Sequence, residues 1–252
     1  MNSQLLKSLY LEISKHSHYQ KLSPLIEELL PVDEVKQKIN RFEVERFSAI
    51  SRYVNIKNST LLDVGGNTGF FTFEGISQGA KKVILYEGNR SHCEFVNVAA
   101  EALKCNDRLE VYNKYYTADE KTKEIDLVFL LNVLHHIGDD FGSVESASSC
   151  LDEAAKILQH FSQISHELVF QIGFNWQGNP KKPLFASGSK SEVIDWVKSV
   201  SENHWRVKVI LIANRDASGV IYEPVNSSNI ERNDSDGEFL NRPIFILEKS
   251  DI

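Results

Sequence analysis

Residues Leu61–Gly69 read Leu-Leu-Asp-Val-Gly-Gly-Asn-Thr-Gly, and this run decides the fold. It starts within a short apolar stretch, Thr60–Val64, of the kind that forms a buried parallel strand. It then passes through glycines, which let the backbone turn sharply and let a ligand come close. The next stretch, Phe70–Ser77, suits a helix. The run therefore predicts a strand, a glycine-rich turn and a helix in series.

Apolar strands and helices continue to alternate along the chain after this unit. The further strands are predicted at Lys82–Tyr86, Leu109–Tyr112, Asp126–Leu131, Glu167–Ile172, Arg206–Ile212 and Ile244–Glu248. Such alternation is typical of a parallel sheet with helices on both faces. No helix is evident between the last two strands, so the last strand is expected to be antiparallel. We predict an α/β, Rossmann-like fold with a seven-stranded, mostly parallel sheet and an antiparallel last strand.

The first 55 residues are predicted to be a helical cap on a Rossmann-like domain of residues 56–252. Ser23-Pro24 pairs an N-cap with a proline at the first helical position, and a third helix is predicted over about Val35–Tyr53. His16, His18 and Tyr19 belong either to a cover over the site or to a packing appendage or dimer contact.

Helix starts and one long loop are also predicted from local patterns. Ser91-x-x-Glu94 and Ser189-x-x-Glu192 have the form of capping boxes, and a further helix is predicted over Ser143–Gln159. The segment Ala213–Asn241, rich in Asn, Ser and Asp, is predicted to be a functional or mobile loop because of its length.

Composition limits the kinds of partner. The 252 residues carry a formal net charge of -7, whereas proteins that grip many phosphates usually have a basic surplus. A nucleic acid is therefore disfavoured, and a small molecule or glycan is expected.

The three cysteines form no Cys-x-x-Cys pair, and no metal site is expected. No apolar run approaches the roughly 20 residues of a membrane span, no signal peptide is evident, and a cytoplasmic location is expected. The oligomeric state is not set by the sequence.

Two acidic residues follow the first two strands. Asp63 lies inside the glycine turn, where a carboxylate suits a cationic ligand better than a phosphate. Glu87 ends the second strand, where an acidic side chain can accept both hydroxyls of an adenosine ribose. Together these positions favour a positively charged, adenosine-containing ligand.

At these residues the sequence resembles the class I S-adenosylmethionine (SAM)-dependent methyltransferases. Leu61–Gly69 is similar to their motif I, Leu85–Glu87 to motif II and Asp126–His136 to motif IV, and the resemblance covers about Asn58–Leu247. Asn67 stands where the motif usually has glycine, and asparagine tolerates left-handed backbone. The glycine turn is similar to that of FkbM-type sugar methyltransferases. The paired histidines are similar to those of O-antigen chain-terminating methyltransferases and of wobble-uridine tRNA-modifying enzymes.

The resemblance implies SAM as the cofactor and assigns roles to residues. The residues implied to bind the cofactor are Asp63, Gly65, Gly66, Asn67, Gly69, Phe70, Glu87, Gly88, Asn113 and Asn132. His135 and His136 are the catalytic candidates, since methyl transfer to a hydroxyl needs a base; a phosphate acceptor would need mainly positioning.

The acceptor is expected to be a sugar, a glycan end or a sugar phosphate in surface polysaccharide biosynthesis. Its candidate binding residues after the fifth strand are Trp176, Lys181 and Lys182. The long loop before Ile244 adds Arg242, with Arg215, Tyr222 and Arg232 as further candidates. The alternatives are a tRNA-modifying or other small-molecule methyltransferase, and a SAM-binding subunit without turnover. An NAD-dependent oxidoreductase is disfavoured because the Gly-x-Gly-x-x-Gly order is absent.

Overall fold

The computed structural model describes residues 2–12, 20–30, 41–120 and 124–250. The chain forms two compact units, one of Met1–Phe47 with Asn55–Thr117 and the other of Ser48–Val54 with Ala118–Ile252. The predicted cover residues His16, His18 and Tyr19 lie outside the described ranges. The predicted domain boundary between residues 55 and 56 stays a prediction.

The first unit contains three parallel strands, and all three coincide with predicted ones. They are β1 (Thr60–Val64), β2 (Lys82–Tyr86) and β3 (Leu109–Tyr112), in the order β3-β2-β1. Val64 pairs with Tyr86, so β1 and β2 end level with each other. The glycine turn after β1 and the acidic residue after β2 therefore meet at one edge of these strands, where ligands bind in parallel sheets.

Helices α1 (Asn2–Glu12), α2 (Pro24–Glu27), α4 (Phe70–Ser77) and α5 (Arg90–Ala102) accompany these strands. The ring centroids of Tyr10 on α1 and Phe95 on α5 lie 5.8 Å apart, and both side chains are buried. The predicted cap of α2 is confirmed, because the Ser23 hydroxyl accepts a hydrogen bond from the backbone N–H of Leu25 at 3.3 Å. The contact between Tyr10 and Phe95 packs α1 onto α5.

Two helix starts differ from the predictions. Asn89, not Ser91, is the N-cap of α5, and its side chain accepts from the backbone N–H groups of Ser91 and His92. Glu94 instead pairs with Arg90 one turn earlier, at 2.8 Å. In the described part of the third predicted helix, α3 runs only over Glu43–Ile50, since Phe42 has a left-handed φ of 56°.

The second unit contains five strands in the order β4-β5-β8-β6-β7. They are β4 (Ile125–Leu131), β5 (Ser165–Gln171), β6 (Trp205–Asp216), β7 (Gly219–Pro224) and β8 (Ile244–Lys249). β4 and β5 are parallel, whereas β8 is antiparallel to both β5 and β6. The predicted α/β class and its antiparallel last strand are therefore confirmed.

The predicted loop over Ala213–Asn241 is wrong in its first half. β6 continues to Asp216 and turns into β7, with Asp216 opposite Gly219. On β7, Val220 and Tyr222 are buried and Ile221 is exposed, which is the alternation of a half-buried strand. The described residues thus contain eight strands, one more than predicted. The second half carries the short helix α8 (Gly237–Leu240).

Helices α6 (Ala147–Ile164) and α7 (Lys190–Ser201) belong to the second unit. α6 begins later than predicted because the Ser146 hydroxyl caps it by accepting from the backbone N–H of Ser149, at 3.1 Å. α7 begins as predicted, since the Ser189 hydroxyl accepts from the backbone N–H of Glu192, also at 3.1 Å.

Candidate functional site

The turn after β1 has the left-handed backbone that its glycines allow. Gly65, Asn67 and Gly69 have φ values of 69°, 54° and 83°. Asn67 adopts this conformation as predicted, and its side-chain oxygen accepts from the backbone N–H of Thr68 at 2.8 Å. A Cβ on Gly66 would lie 2.2 Å from Leu85 and 2.7 Å from an Asp63 oxygen. Glycine is therefore required at position 66 by the close approach of its neighbours.

The Glu87 carboxylate ties this turn to the start of α5. Its Oε2 accepts from the backbone N–H of Asn67 at 2.9 Å, and its Oε1 from the backbone N–H of Asn89 at 2.8 Å. The side chain is 12% exposed, and His92 Nδ1 lies 3.5 Å away. A carboxylate has about four acceptor positions, so Glu87 can hold the turn and still accept hydroxyl groups.

Asp63 lies beneath the turn instead of opening into it. It is buried, and its Oδ2 accepts from the Thr72 hydroxyl at 2.8 Å. Burial raises the pKa of the carboxyl to about 7, the Thr72 hydrogen bond opposes the rise, and the negative charge of Glu87 adds to it. Asp63 therefore supports the glycine turn from inside the first unit.

Replacing Asp63 by asparagine should stabilise the protein more at pH 8 than at pH 5. The folded pKa of Asp63 is about 7 against an ordinary value of 3.8, so the wild-type protein loses stability as pH rises between these values. Asparagine stays neutral and can still accept from Thr72. The gain in unfolding free energy should differ by about 2–3 kcal/mol between the two pH values.

Urea unfolding of wild type and Asp63→Asn at both pH values measures this difference. Asp107→Asn, at an exposed position, is the matched control and should show no such pH dependence. An equal effect of Asp63→Asn at pH 5 and pH 8 would mean that the carboxyl titrates normally in the folded protein.

The residues after β2 and β3 are held together by main-chain contacts. The Asn113 side-chain amide donates to the backbone oxygens of Glu87 at 3.1 Å and Gly88 at 3.0 Å. A Cβ on Gly88 would lie 2.4 Å from the Tyr115 ring, which is 46% exposed. Asn113, predicted to meet an adenine edge, thus shapes the chain around Gly88. Tyr115 was missed because it lies three residues beyond the strand.

At Phe70, the backbone N–H lies at the glycine turn, whereas the side chain is buried away from it. The ring is buried and lies edge-on to Phe71, with centroids 5.3 Å apart. Its backbone N–H donates to the side-chain oxygen of Gln20 at 3.1 Å. Gln20 was missed by the sequence analysis, because no local pattern links it to a turn fifty residues away.

In the second unit, Asn132 follows β4 in left-handed backbone, with φ 62°. Its side-chain amide donates to Gln171 Oε1 at 2.8 Å and accepts from Arg242 Nη1 at 2.8 Å. Arg242 is 6% exposed and also donates to Glu238 Oε1 at 2.8 Å. The guanidinium predicted to meet a substrate anion is therefore used to hold Asn132 and Glu238.

The two adjacent histidines have different surroundings. His135 is 1% exposed, and its Nδ1 accepts from the backbone N–H of Gly173 at 3.3 Å. Burial, then the charge of Arg242, then His136, hold the pKa of His135 well below its usual value. His136 is 30% exposed, with its Nδ1 3.6 Å from Asp140 Oδ2. Of the pair, His136 is the one that a molecule from solvent can reach.

His136 also belongs to a group that the sequence analysis missed. Ligand atoms of His136, Asp139 and Asp140 lie within 4.8 Å of one another, close enough to hold a metal ion. Their spacing at i, i+3 and i+4 is the signal that could have revealed them. The expected absence of a metal stays a prediction.

The loop after β5 packs onto the residues that follow His136. Trp176 is 8% exposed, and its indole N–H donates to the backbone oxygen of Ile137 at 2.6 Å. Lys182 Nζ lies 4.7 Å from the centroid of the Trp176 ring and donates to Gln177 Oε1 at 2.6 Å. Trp176, predicted to stack on a sugar, is mostly covered here. Lys181 and Lys182 remain exposed.

Comparison with known proteins covers parts of the chain and the fold as a whole. A family described as "Conserved hypothetical protein 95" matches residues 29–131, less than half of the chain. A tRNA U34 carboxymethyltransferase of Aliarcobacter butzleri (strain RM4018) is 27% identical over 122 residues. That match covers 45% of this chain and 37% of the relative, so the chain spans much less than two thirds of the relative's length.

Two solved structures share the fold over nearly the whole chain. PH1948 from Pyrococcus horikoshii, described as a candidate RNA methyltransferase, has a TM-score of 0.50 at 13% identity, with 98% of both chains covered. The bifunctional kinase-methyltransferase WbdD has a TM-score of 0.54 at 17% identity, with 96% of this chain and 46% of WbdD covered. These likenesses confirm the predicted fold.

The comparisons correct the expectation about partners. From the net charge of -7 we predicted that a nucleic acid is disfavoured as a substrate. This prediction is wrong. The relative modifies tRNA by its name, and PH1948 is described through RNA. Net charge sums the whole surface, whereas an RNA contact needs only a local group of basic side chains.

No helix in the described ranges is long and apolar enough to cross a membrane.

Proposed function

We propose that this chain is a SAM-dependent methyltransferase that methylates RNA. The cofactor half of the proposal rests on Glu87, whose carboxylate fixes the glycine turn through the backbone N–H of Asn67 at 2.9 Å. The acceptor half rests on the likeness to the tRNA-modifying relative. The predicted cytoplasmic location stays a prediction.

The residues of the first unit fit an adenosine-containing cofactor. Glu87 is partly exposed and retains acceptor positions for ribose hydroxyls. The turn from Gly65 to Gly69 brings main-chain atoms, and no side chain longer than that of Asn67 and Thr68, to the end of β1. When bound, SAM supplies a methyl group on a sulfonium, which needs neither a metal nor a reductant to leave.

The second unit supplies the group that can take up a proton from the acceptor. His136 is half-buried, and the Asp140 carboxylate at 3.6 Å from Nδ1 can orient its ring. Neutral imidazole accepts a proton as an oxygen or nitrogen nucleophile attacks the methyl group. His135, buried and neutral, is proposed to position the loop at Gly173 through their hydrogen bond.

RNA is the acceptor class that the comparisons favour. The exposed Lys181 and Lys182 on the loop after β5 are available to contact phosphates. Lys182 is held over the Trp176 ring and beside Gln177, so part of its freedom is already lost before any contact forms. The loop can therefore position a phosphate backbone at a small entropic cost.

A glycan end or sugar phosphate is the second candidate, with a place in surface polysaccharide biosynthesis. It rests on the resemblance of the paired histidines, His135 and His136, to those of O-antigen chain-terminating methyltransferases. The fold likeness to WbdD is compatible with it. Both candidates use the same proposed cofactor and differ only in the acceptor.

Transfer of labelled methyl groups from SAM distinguishes the acceptors. The purified chain is incubated with methyl-tritiated SAM and either unmodified tRNA or O-antigen oligosaccharide. We expect label in tRNA that ribonuclease releases, and none above background in the oligosaccharide. Glu87→Ala should lower the signal when SAM is below its dissociation constant for wild type, because losing a charged hydrogen-bond partner weakens cofactor binding by about 1–3 kcal/mol. Glu94→Ala, on the exposed surface of α5, is the matched control.

Each other outcome has a distinct meaning. Label in the oligosaccharide alone would replace RNA by the second candidate. Calorimetric binding of S-adenosylhomocysteine without transfer to either acceptor would favour a SAM-binding subunit. Failure of the wild-type chain to bind S-adenosylhomocysteine would overturn the methyltransferase proposal itself.

A further inference from the structure

The side chain of Gln20 caps the start of α4, although Gln20 lies fifty residues earlier in the sequence. Gly69, the residue before the helix, has no side chain to cap it. The Gln20 Oε1 accepts instead from the backbone N–H of Phe70 at 3.1 Å and from the Thr68 hydroxyl at 3.4 Å. Because a backbone N–H can only donate, these bonds fix which end of the amide is oxygen.

The Nε2 atom of the same Gln20 amide is not used in these hydrogen bonds. The Gln20 side chain is more than nine-tenths buried. Within the described ranges, its Nε2 donates to no protein acceptor. An NH2 group carries two donors, and this nitrogen is not one of the fully buried side-chain atoms that lack a partner, so a ligand can reach it. The amide is thus anchored through its oxygen while its donors remain free beside the glycine turn.

The segment that carries Gln20 is itself held against α4. Ser23, which is fully buried, donates its hydroxyl to Glu74 Oε1 on α4 at 2.7 Å. Ile26 and Leu22 on either side are buried too. Gln20 is therefore a fixed part of the first unit at the start of α4, where the helix dipole favours a negative ligand group.

We propose that Gln20 recognises the amino-acid end of SAM, its amide NH2 donating to the methionine carboxylate at the start of α4. This inference rests on the proposed function. It follows because Glu87, at the end of β2, is the group suited to the ribose, whereas Gln20 offers donors at the glycine turn. The anchored oxygen keeps the donors aimed, so little conformational freedom is lost on binding.

Gln20→Glu separates recognition from structure. The glutamate can still accept from Phe70 and Thr68, but burying its charge costs stability, so the thermal midpoint is measured to confirm that the variant is folded at the temperature of the binding experiment. It has no NH2 donors and repels a carboxylate. The affinity for S-adenosylhomocysteine should therefore fall by about tenfold or more.

A ligand without the amino-acid end makes the test specific. 5′-Methylthioadenosine keeps the nucleoside and the sulfur but lacks the amino-acid end. Its dissociation constant should therefore change by less than about twofold in Gln20→Glu. Gln78→Glu, at the exposed opposite end of α4, controls for the added charge and should leave both affinities unchanged. Both affinities are measured by calorimetry.

Two results would overturn the assignment of Gln20. One is an unchanged affinity of Gln20→Glu for S-adenosylhomocysteine. The other is an equal loss of affinity for both ligands, which would place Gln20 at the nucleoside or in folding alone. If wild type binds neither ligand, the proposed function fails first, and that result is recognisable without any variant.

Discussion

Arg242→Ala should lower the free energy of unfolding by about 3–5 kcal/mol, because it leaves a partly buried carboxylate without its cation. Arg242 Nη2 lies 2.8 Å from Glu238 Oε1, and the two side chains are only 7% and 28% exposed. Burial raises the pKa of Glu238, but the charge and hydrogen bond of Arg242, together with hydrogen bonds from Phe174 and Asn175, outweigh burial and lower it. The same variant removes the donor to Asn132 Oδ1, so an amide also loses a partner.

Denaturant unfolding of matched variants measures this loss. Arg206→Ala breaks the pair with Glu248, whose side chains are 68% and 36% exposed, and should cost at most about 1 kcal/mol. Arg242→Ala combined with Glu238→Gln removes the uncompensated charge and should recover part of the loss. A loss below about 1 kcal/mol in Arg242→Ala would mean that the guanidinium is solvated and free to meet a substrate, as the sequence analysis predicted.

The strands and the glycine turn could be predicted because their signals are local. β1 and β2 are short and mostly apolar runs, and burial on both faces explains that composition. The left-handed backbone at Asn67 could also be predicted, since asparagine is the residue that best replaces glycine there. Position alone placed Glu87 next to the turn, because parallel strands end at one edge.

The missed features depend on partners far apart in the sequence or on competing local signals. β7 is short and lies among Asn, Ser and Asp residues, so its alternating Val220 and Tyr222 were not recognised. Asn89 and Ser91 both suit an N-cap, and only the fold decides between them. Arg242 looked like a surface residue in a polar loop, although Glu238 four residues earlier is the signal of a paired helix end.

The sequence offered candidate site residues but carried little information on how deeply each of them is buried. His135 and Trp176 were expected to face the acceptor, but both are buried. They form hydrogen bonds with the backbone of Gly173 and Ile137, respectively. Side-chain burial depends on what the rest of the chain packs against a residue, and a single sequence carries little information on that. Gln20 shows the same limit, since its partners follow it by fifty residues.

His136→Ala should lower the rate of methyl transfer by about 10²–10⁴-fold, the usual contribution of a positioned base. Its affinity for S-adenosylhomocysteine should stay near that of wild type, because the proposed cofactor contacts are made by Glu87 and Gln20. Asp140→Asn should have a smaller effect in the same direction, since it removes only the carboxylate 3.6 Å from the imidazole. Single-turnover transfer to the acceptor that accepts label gives the rate of the chemical step.

Three comparisons decide whether the loss is catalytic. His166→Ala removes an exposed histidine that also lies near a carboxylate, 3.1 Å from Glu124, and should leave the rate unchanged. His135→Ala should lower stability as well as activity, because it removes a buried ring and the acceptor of the Gly173 N–H. A base must be neutral, so the wild-type rate should rise as pH increases and then level off, and this rise should vanish in His136→Ala. If chelation abolishes activity and Mg²⁺ restores it, His136 serves as a metal ligand with Asp139 and Asp140, and its role as base is wrong.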